Sequence, residues 1–184
     1  MSGLPRSFTP SPLHGVTVGI VTDNELPEGK VKVEFHSFGG NLAHDCLVLQ
    51  PYAGDKFGTF FIPEVGTEVL VAFIDSDLSD PVILGCLWYG GDKPPAERKK
   101  DKDPKLLQTK GGHRILLDDS QGAEKIVIEA AKTKKSKGKN RIEIDSAGTI
   151  TIEADKGKLV LKGGEVQIEA TGILNLKGKT INLN

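Results

Sequence analysis

The sequence predicts an all-β protein with a small N-terminal barrel followed by a repetitive, needle-like β-helix. Three observations carry this prediction. About five short apolar runs, separated by Gly, Pro, Asn and Asp, fill the first half, and no window there has a helical period. Pairs of apolar residues recur at a short, nearly constant spacing in the second half. Composition changes between the halves, because all 7 Phe lie at or before Phe73 and the last proline is Pro104.

Charge divides at the same place. Residues 1–92 carry 4 basic and 12 acidic side chains, a net charge of −8, whereas residues 93–184 carry a net charge of +7. The stretch from Gly90 to Pro104 is rich in Gly, Pro, Lys and Asp and has no apolar period, which is typical of a linker. We therefore predict an N-terminal arm (1–12), a barrel domain (13–92), a linker (93–105) and a needle (106–184).

Five runs rich in Val, Ile, Leu and Phe are predicted to be the strands of the first domain. They are His14–Thr22, Lys30–Phe35, His44–Gln50, Glu68–Ile74 and Pro81–Leu87. The Lys30–Phe35 run alternates strictly between polar and apolar residues, so one of its faces is expected to be buried. Five short strands within about 75 residues fit a closed barrel of the OB type. An open sandwich is the structural alternative.

The second half is built from apolar pairs at positions i and i+2. The pairs are Ile115/Leu117, Ile126/Ile128, Ile142/Ile144, Ile150/Ile152, Leu159/Leu161, Val166/Ile168, Leu174/Leu176 and Ile181/Leu183. From the Ile142 pair onward the steps are 8, 9, 7, 8 and 7 residues. A short fixed period with strand alternation predicts a β-helix.

Oligomerisation follows from the size of these repeats. Each predicted strand offers two inward side chains, and the needle has no aromatic residue or methionine, so it can fill only a narrow interior. Three-fold closure would also remove exposed sheet edges. A single-chain solenoid is the alternative. In the trimer, the predicted needle core consists of Ile142, Ile144, Ile150, Ile152, Leu159, Leu161, Val166, Ile168, Leu174 and Leu176.

Sites for chemistry are not evident in the sequence. Cys46 and Cys86 are predicted to be small buried hydrophobic residues rather than a disulfide. Asp75, Asp77 and Asp80 resemble part of a calcium loop but lack its glycine and distal glutamate. The 4 histidines share no ligand spacing. We expect no catalytic residue, no cofactor and no metal site.

The basic run Lys132–Lys139 is the sharpest charge feature. It is interpreted as a solvated hairpin tip or, alternatively, as a contact with another particle component or a membrane. The sequence contains no run of 18 or more apolar residues, so no membrane-spanning helix is predicted. Met1–Pro12 lacks the pattern of a secretory signal. Synthesis in the cytoplasm without a signal peptide is therefore expected.

Several motifs in the first domain resemble a known family. They are Gly19–Asn24, Gly29–Val33, Gln50–Gly54, Phe61–Phe73 and Asp80–Gly85. In order and spacing they are similar to the OB-fold domain of phage baseplate assembly protein V and of the VgrG spike proteins of type VI secretion. The repeats resemble the triangular β-helix that follows this domain in the family. The resemblance implies an intertwined trimeric needle without enzymatic activity, the central spike of a contractile particle, which punctures the target envelope and is released with the particle.

Departures from the family pattern refine these expectations. Only about a dozen residues precede the barrel, so the resemblance implies a separate hub protein at the barrel end. No His-x-His motif of the family's iron-binding tips is present, which implies a separate PAAR-like tip protein. Its predicted contact residues are Ile181, Asn182, Leu183 and Asn184. The machine itself stays open between phage baseplate, tailocin and extracellular injection system.

Two other classes of function are alternatives to a spike. A nucleic-acid-binding OB module with a basic tail would explain the charged second half. However, the barrel half is acidic and shows no pair of stacking aromatic residues, so no specific nucleic acid partner is expected. A peptidoglycan hydrolase would need a pair of carboxylates or a nucleophile with its base, and neither is apparent.

Overall fold

The computed structural model describes residues 15–36, 42–77, 79–131 and 140–182. The chain divides between Pro94 and Pro95 into two compact units. Strands form nearly all the regular structure, apart from two short 3₁₀ turns at Pro27–Gly29 and Ile74–Ser76. Across the described ranges, no helix has the length and apolar character needed to cross a membrane.

Among its described residues, the first unit has seven strands, five of which close into a barrel. The strands are β1 (Val16–Asp23), β2 (Val31–Phe35), β3 (Leu42–Val48), β4 (Ala53–Gly54), β5 (Phe57–Gly58), β6 (Glu68–Phe73) and β7 (Pro81–Leu87). The barrel order is β1-β2-β3-β7-β6, and β4 and β5 form a separate hairpin. Neighbouring strands are antiparallel except β3 and β7, which are parallel. The predicted all-β fold and closed barrel are confirmed, and the hairpin was not predicted.

Alternation along the strands supplies the barrel core. The buried side chains are those of Val21, Val31, Val33, Phe35, Cys46, Val69, Val71, Phe73 and Ile83. The rings of Phe35 and Phe73 pack with their centroids 5.8 Å apart. Gly19 lets β1 approach β2 closely, because a Cβ atom at this position would lie 2.3 Å from the side chain of Val33.

The second unit contains a five-stranded antiparallel meander. Its strands are β8 (Pro104–Gln108), β9 (Arg114–Asp118), β10 (Lys125–Ala130), β11 (Asn140–Asp145) and β12 (Ile150–Ala154). They lie side by side in chain order. Strand β8 begins at Pro104, two residues before the predicted start of the needle. Residues 155–182, all of them described, form no strand within the single chain.

Candidate assembly surface

One face of the meander, here called the apolar face, carries only aliphatic side chains along its centre. It consists of Leu107, Ile115, Leu117, Ile126, Ile128, Ile142, Ile144, Ile150 and Ile152. The strand register brings these residues into direct cross-strand pairs. Ile128, for example, lies opposite Ile115 on one side and opposite Ile142 on the other. The surface is therefore continuous from β8 to β12.

The apolar face is open in the single chain. Its side chains are between 41% and 68% exposed, whereas the barrel core is at most 8% exposed. Monomeric soluble proteins rarely expose contiguous apolar patches of more than a few hundred Å². Burying the face would gain about 25 cal/mol for each Å² removed from water. We conclude that the apolar face is a surface for assembly and is not exposed to water in the complete assembly.

The opposite face of the meander is charged. Arg114, Glu129, Arg141 and Glu153 lie directly across from one another on four consecutive strands, with alternating charge. Arg114 Nη2 lies 3.2 Å from Glu129 Oε2, and Arg141 Nε lies 2.9 Å from Glu153 Oε2. Opposite charges in directly paired positions stabilise an antiparallel sheet and fix its register. The row therefore has the character of a solvent-facing surface.

A second row of charges, on the far side of a small apolar centre, completes this face. Lys125 lies opposite Asp118 on one side and Asp145 on the other. Hydrogen bonds from the side chain and backbone N–H of Ser120 lower the pKa of Asp118. Between the two rows, Val127 is buried at 2% exposure. The two faces of the sheet thus differ sharply, with the fully open aliphatic surface on one side only.

The repeats after the meander expose their apolar side chains as well. Leu159, Leu161, Val166, Ile168, Leu174 and Leu176 are all exposed. The structure thus brings four of the ten predicted needle-core residues together on the apolar face, namely Ile142, Ile144, Ile150 and Ile152. The other six lie in the strandless stretch, and their packing against one another stays a prediction.

Sequence reasoning missed Leu107 as a member of the apolar face. It lies eight positions before Ile115, in phase with the repeats, but its partner at i−2 is Lys105, so no apolar pair marks the strand. Lys105 Nζ is instead held 2.7 Å from Asp103 Oδ2 and 3.0 Å from Asp119 Oδ2. A search for spacing alone, without requiring two apolar members, would have found this strand.

The two cysteines differ in their surroundings. Cys46 is fully buried, as predicted, and burial followed by the nearby Asp45 charge raises its pKa to about 12. Cys86 is exposed, so the prediction that it is buried was wrong. A register shift between Leu70 and Val71 interrupts the pairing of β6 with β7, and Cys86 follows this irregularity. Both thiols are free.

Two of the remaining polar candidates have local hydrogen-bond partners. Asp77 Oδ1 accepts hydrogen bonds from the backbone N–H and the hydroxyl of Ser79, which lower its pKa. His113 Nδ1 accepts a hydrogen bond from the backbone N–H of Ala131. In the described part of the chain, no three His, Cys, Asp or Glu residues are grouped to hold a metal ion. His14, Lys132–Lys139, Leu183 and Asn184 lie outside the described residues.

A cavity of about 500 Å³ lies beside the β4–β5 hairpin of the first unit. Leu47, Phe57, Phe60 and Ile62 provide much of its apolar lining, and Glu28 and Lys56 provide its charged groups. The rings of Phe57 and Tyr52 pack with their centroids 5.2 Å apart. Glu28 and Lys56 do not form a nucleophile with its base, so the lining of this cavity does not have the arrangement of a catalytic site.

Two family models match the chain, and together they cover most of it. Residues 17–88 match the type VI secretion system/phage-baseplate injector OB domain. Residues 104–184 match the phage baseplate V C-terminal trimerisation domain. The first match coincides with the barrel, and the second begins at the first residue of the meander.

Curated proteins similar to this chain include type VI secretion system spike proteins. The chain is 27% identical to the actin cross-linking toxin VgrG1 of Vibrio cholerae over 85% of this chain and 15% of that protein. It is 29% identical to the type VI secretion system spike protein VgrG1b of Pseudomonas aeruginosa, over 85% of this chain and 23% of that protein. With VgrG5 of the same organism, the identity is 30% over 56% of this chain and 15% of that protein. The chain thus spans less than a quarter of the length of these relatives.

Proposed function

The chain belongs to the phage-baseplate and type VI secretion injector family, and from this membership we propose that it is the central spike of a contractile injection particle. In this role three copies form one rigid needle, which caps the tube and hub of the particle and punctures the target envelope. The protein acts mechanically and without enzymatic activity. Its Pseudomonas relatives VgrG5 and VgrG1b are named type VI secretion system spike proteins.

The apolar face of the meander is the observation that carries this proposal. Nine aliphatic side chains on one open face cannot be covered by the chain's own residues 155–182 in the conformation described, because the side chains on both segments are exposed. The segment that contains them matches a trimerisation domain. Three copies would bury the three faces against one another and supply the hydrogen-bonded neighbours that residues 155–182 lack.

The charged face supports the same arrangement. When three apolar faces turn inward, the rows that contain Arg114 and Lys125 turn outward to water, where ion pairs cost little to keep. A rod built this way is stiff, because each chain is held by backbone hydrogen bonds and by a dry aliphatic interior. Stiffness is the property required to transmit the force of a contracting sheath.

Solution mass and shape test the proposal directly. The full-length chain should have three times its monomer mass of 19.7 kDa in multi-angle light scattering, with no dependence on concentration in the micromolar range. Small-angle scattering should give an elongated particle. In purified contractile particles, a tag on the chain should appear at the tip in electron micrographs. A monodisperse monomer would contradict the proposal, and so would a tag found along the tube.

Two protein partners belong to this proposal. A hub protein would bind at the barrel end, and a PAAR-like tip protein would bind at the needle end through Ile181, Asn182, Leu183 and Asn184. Ile181 is half exposed, which leaves an apolar group available for such a contact. Deleting Thr180–Asn184 should leave the trimer intact but abolish capture of a PAAR-like protein, whereas Lys179→Gln should retain it. Normal capture by the truncated chain would reject the tip contact.

The outer surface of the barrel does not favour the nucleic-acid alternative. On the exterior of β2 and β3, the strands that form the ligand platform of many OB folds, the exposed charges are those of Lys32, Glu34 and Asp45. Lys32 is held by Asp45 at 4.0 Å. This strand surface carries two carboxylates and one lysine, so its net negative charge repels a phosphate backbone.

A further inference from the structure

The barrel has two kinds of outer face, and they differ in charge. The exterior is polar where β2 pairs with β3, as described above. The exterior of β1, β6 and β7, here called the barrel flank, is aliphatic. The strand register places six side chains on it: Val16, Val18, Ile20, Leu70, Ala72 and Val82.

The barrel flank is a continuous surface. Val18 lies opposite Leu70, and Val16 lies opposite Ala72, which in turn lies opposite Val82. Val16 is 55% exposed and Val18 is 39% exposed. The interior of the barrel does not need these residues, because the alternate positions Val21, Val69 and Val71 already fill it.

The sequence of these strands indicates a second covered face. Strand β2 alternates between charged and apolar residues, whereas β6 reads Glu68-Val-Leu-Val-Ala-Phe73 and is apolar at five consecutive positions. Near-continuous apolar runs are typical of strands that are covered on both sides. The barrel covers one side of β6, and in the single chain the other side faces solvent.

We propose that the barrel flank is the contact between neighbouring copies, with the three flanks turned toward one another around the axis of the trimer. This inference rests on the proposed function, because it requires three copies in one assembly. It goes beyond the trimerisation domain, since the matched segment begins at residue 104 and the flank lies entirely within residues 16–82.

Electrostatics favours a second copy as the occupant. The barrel half has a net charge of −8, so three barrels held side by side repel one another unless they meet through an uncharged surface. The flank meets this condition. Where β1 pairs with β6, the outward-pointing positions carry one ionisable residue, Glu68, which lies at the rim of the flank. Permanent contacts between identical subunits are also the most apolar class of interface.

Glu68 provides an independent sign that the surface is incomplete. Its Oε2 atom is buried and accepts no hydrogen bond from any described residue. A buried acceptor without a donor is unfavourable, because it has lost its hydrogen bonds to water, so such atoms are usually paired in the complete assembly. A donor from a neighbouring barrel at the rim of the flank would satisfy it.

Cysteine labelling of the full-length protein tests the inference. In a Cys86→Ser background, Val18→Cys places a thiol on the flank, and Lys32→Cys places a matched thiol on the charged exterior of the same barrel. The mass of each variant is measured first by light scattering. In the trimer, the thiol at position 18 should react with a maleimide at least about tenfold more slowly than the thiol at position 32, because labelling requires the contact to open. A short bismaleimide should link two chains through position 18 but not through position 32.

Each outcome decides the question. A trimer that is protected and linked at position 18 supports the inference. A trimer in which both positions react equally fast overturns it and leaves the proposed spike intact. Protection without any link between chains also overturns it, because another occupant then covers the flank. A monomeric parent protein rejects the proposed function itself. Should Val18→Cys fail to fold, Leu70→Cys, its cross-strand neighbour, replaces it.

Discussion

The barrel and the meander are both all-β, but they differ in how much of their folding one chain completes. The barrel closes on itself and buries nine apolar side chains, including Phe35 and Ile83, at no more than 8% exposure. In the meander, the buried hydrophobic residue is Val127, and the large aliphatic set lies open on one face. Both regions have strands of similar length, so strand length does not account for the contrast.

Closure accounts for it. Five strands whose first and last members pair give every inward side chain neighbours from the same chain. The meander does not close, because its outer strands β8 and β12 do not pair with each other. Its aliphatic side chains therefore have no opposite wall from the same sheet. A region of this kind gains its stability from association, and its folding is inseparable from the concentration of protomers. Mutations on the apolar face of the meander should consequently act on assembly, and mutations in the barrel core should act on the stability of the single chain.

The largest effect is expected for a charge on the apolar face. Ile152→Asp would place three carboxylates around one axis in the proposed trimer, each without water or a partner, at a cost of several kcal/mol apiece, on the order of 10 kcal/mol in total. Assembly should fail while the barrel stays folded, as judged by light scattering together with near-ultraviolet circular dichroism. Glu153→Gln, one position away on the charged face, is the matched control and should remain trimeric. If both variants behave alike, the assignment of the faces is wrong.

A smaller effect, confined to the barrel, is expected at Gly19. Gly19→Ala places a methyl group 2.3 Å from the Val33 side chain and 3.0 Å from the carbonyl oxygen of Glu34. Such overpacking costs about 1–3 kcal/mol, because a strand must shift to relieve it. The urea midpoint of the barrel transition should fall, while the oligomeric mass stays the same. Gly91→Ala, where a Cβ atom meets nothing within 4 Å, should leave the midpoint unchanged. Loss of the trimer in Gly19→Ala would show that the two regions fold as one cooperative unit.

Next in size is the loss of the central cation on the charged face. Arg141 contacts both Glu143 and Glu153 at 2.9 Å, and Arg141→Ala leaves these two carboxylates without it. Since the pairs are only half buried, we expect a loss of about 1 kcal/mol per chain, which should shrink at high salt. Thermal melting at low and high ionic strength measures this. Lys158→Ala, on the exposed stretch after the meander, should have no such salt-dependent effect.

The smallest effect, absent at neutral pH, concerns Cys46. Burial, and after it the nearby Asp45 charge, raises its pKa from the ordinary thiol value of 9.0 to about 12 in the folded barrel. A raised thiol pKa favours the folded state fully below pH 9, and this contribution is lost as the pH rises from 9 toward 12. The urea midpoint of the barrel should therefore fall over this pH range. It should fall less in Cys46→Val, because this variant has no thiol to titrate. Equal pH profiles for the two proteins would contradict the buried position of the thiol.

The strands of the barrel could be predicted from the sequence because their signals are local. All five predicted runs are strands, with ends that differ by two residues or fewer. Alternation in Lys30–Phe35 and the Gly, Pro, Asn and Asp residues between the runs depend only on neighbours along the chain. The hairpin at Ala53–Gly58 was missed because two strands of two residues each are too short to show a period.

The assembly surface was predictable only in part. The apolar pairs identified the aliphatic positions of β9 to β12, but they did not show that these strands form one sheet within a single chain. Leu107 was missed because the position two residues before it is occupied by Lys105 and not by an apolar residue. The exposure of Cys86 was not predicted, because its apolar neighbours along β7 give no sign of it.

Local signals were enough to predict that the chain is all-β, where the five strands of the barrel lie and which positions of β9 to β12 are aliphatic, because side-chain alternation and turn chemistry act over a few residues. Which positions share a surface became apparent from the strand pairing in the folded protein. The parallel pairing of β3 with β7, the closure of β1 on β6, the alternating row from Arg114 to Glu153 and the barrel flank all follow from register between strands. Register joins residues that are distant along the chain, and a shift of one residue moves every side chain of a strand to its other face.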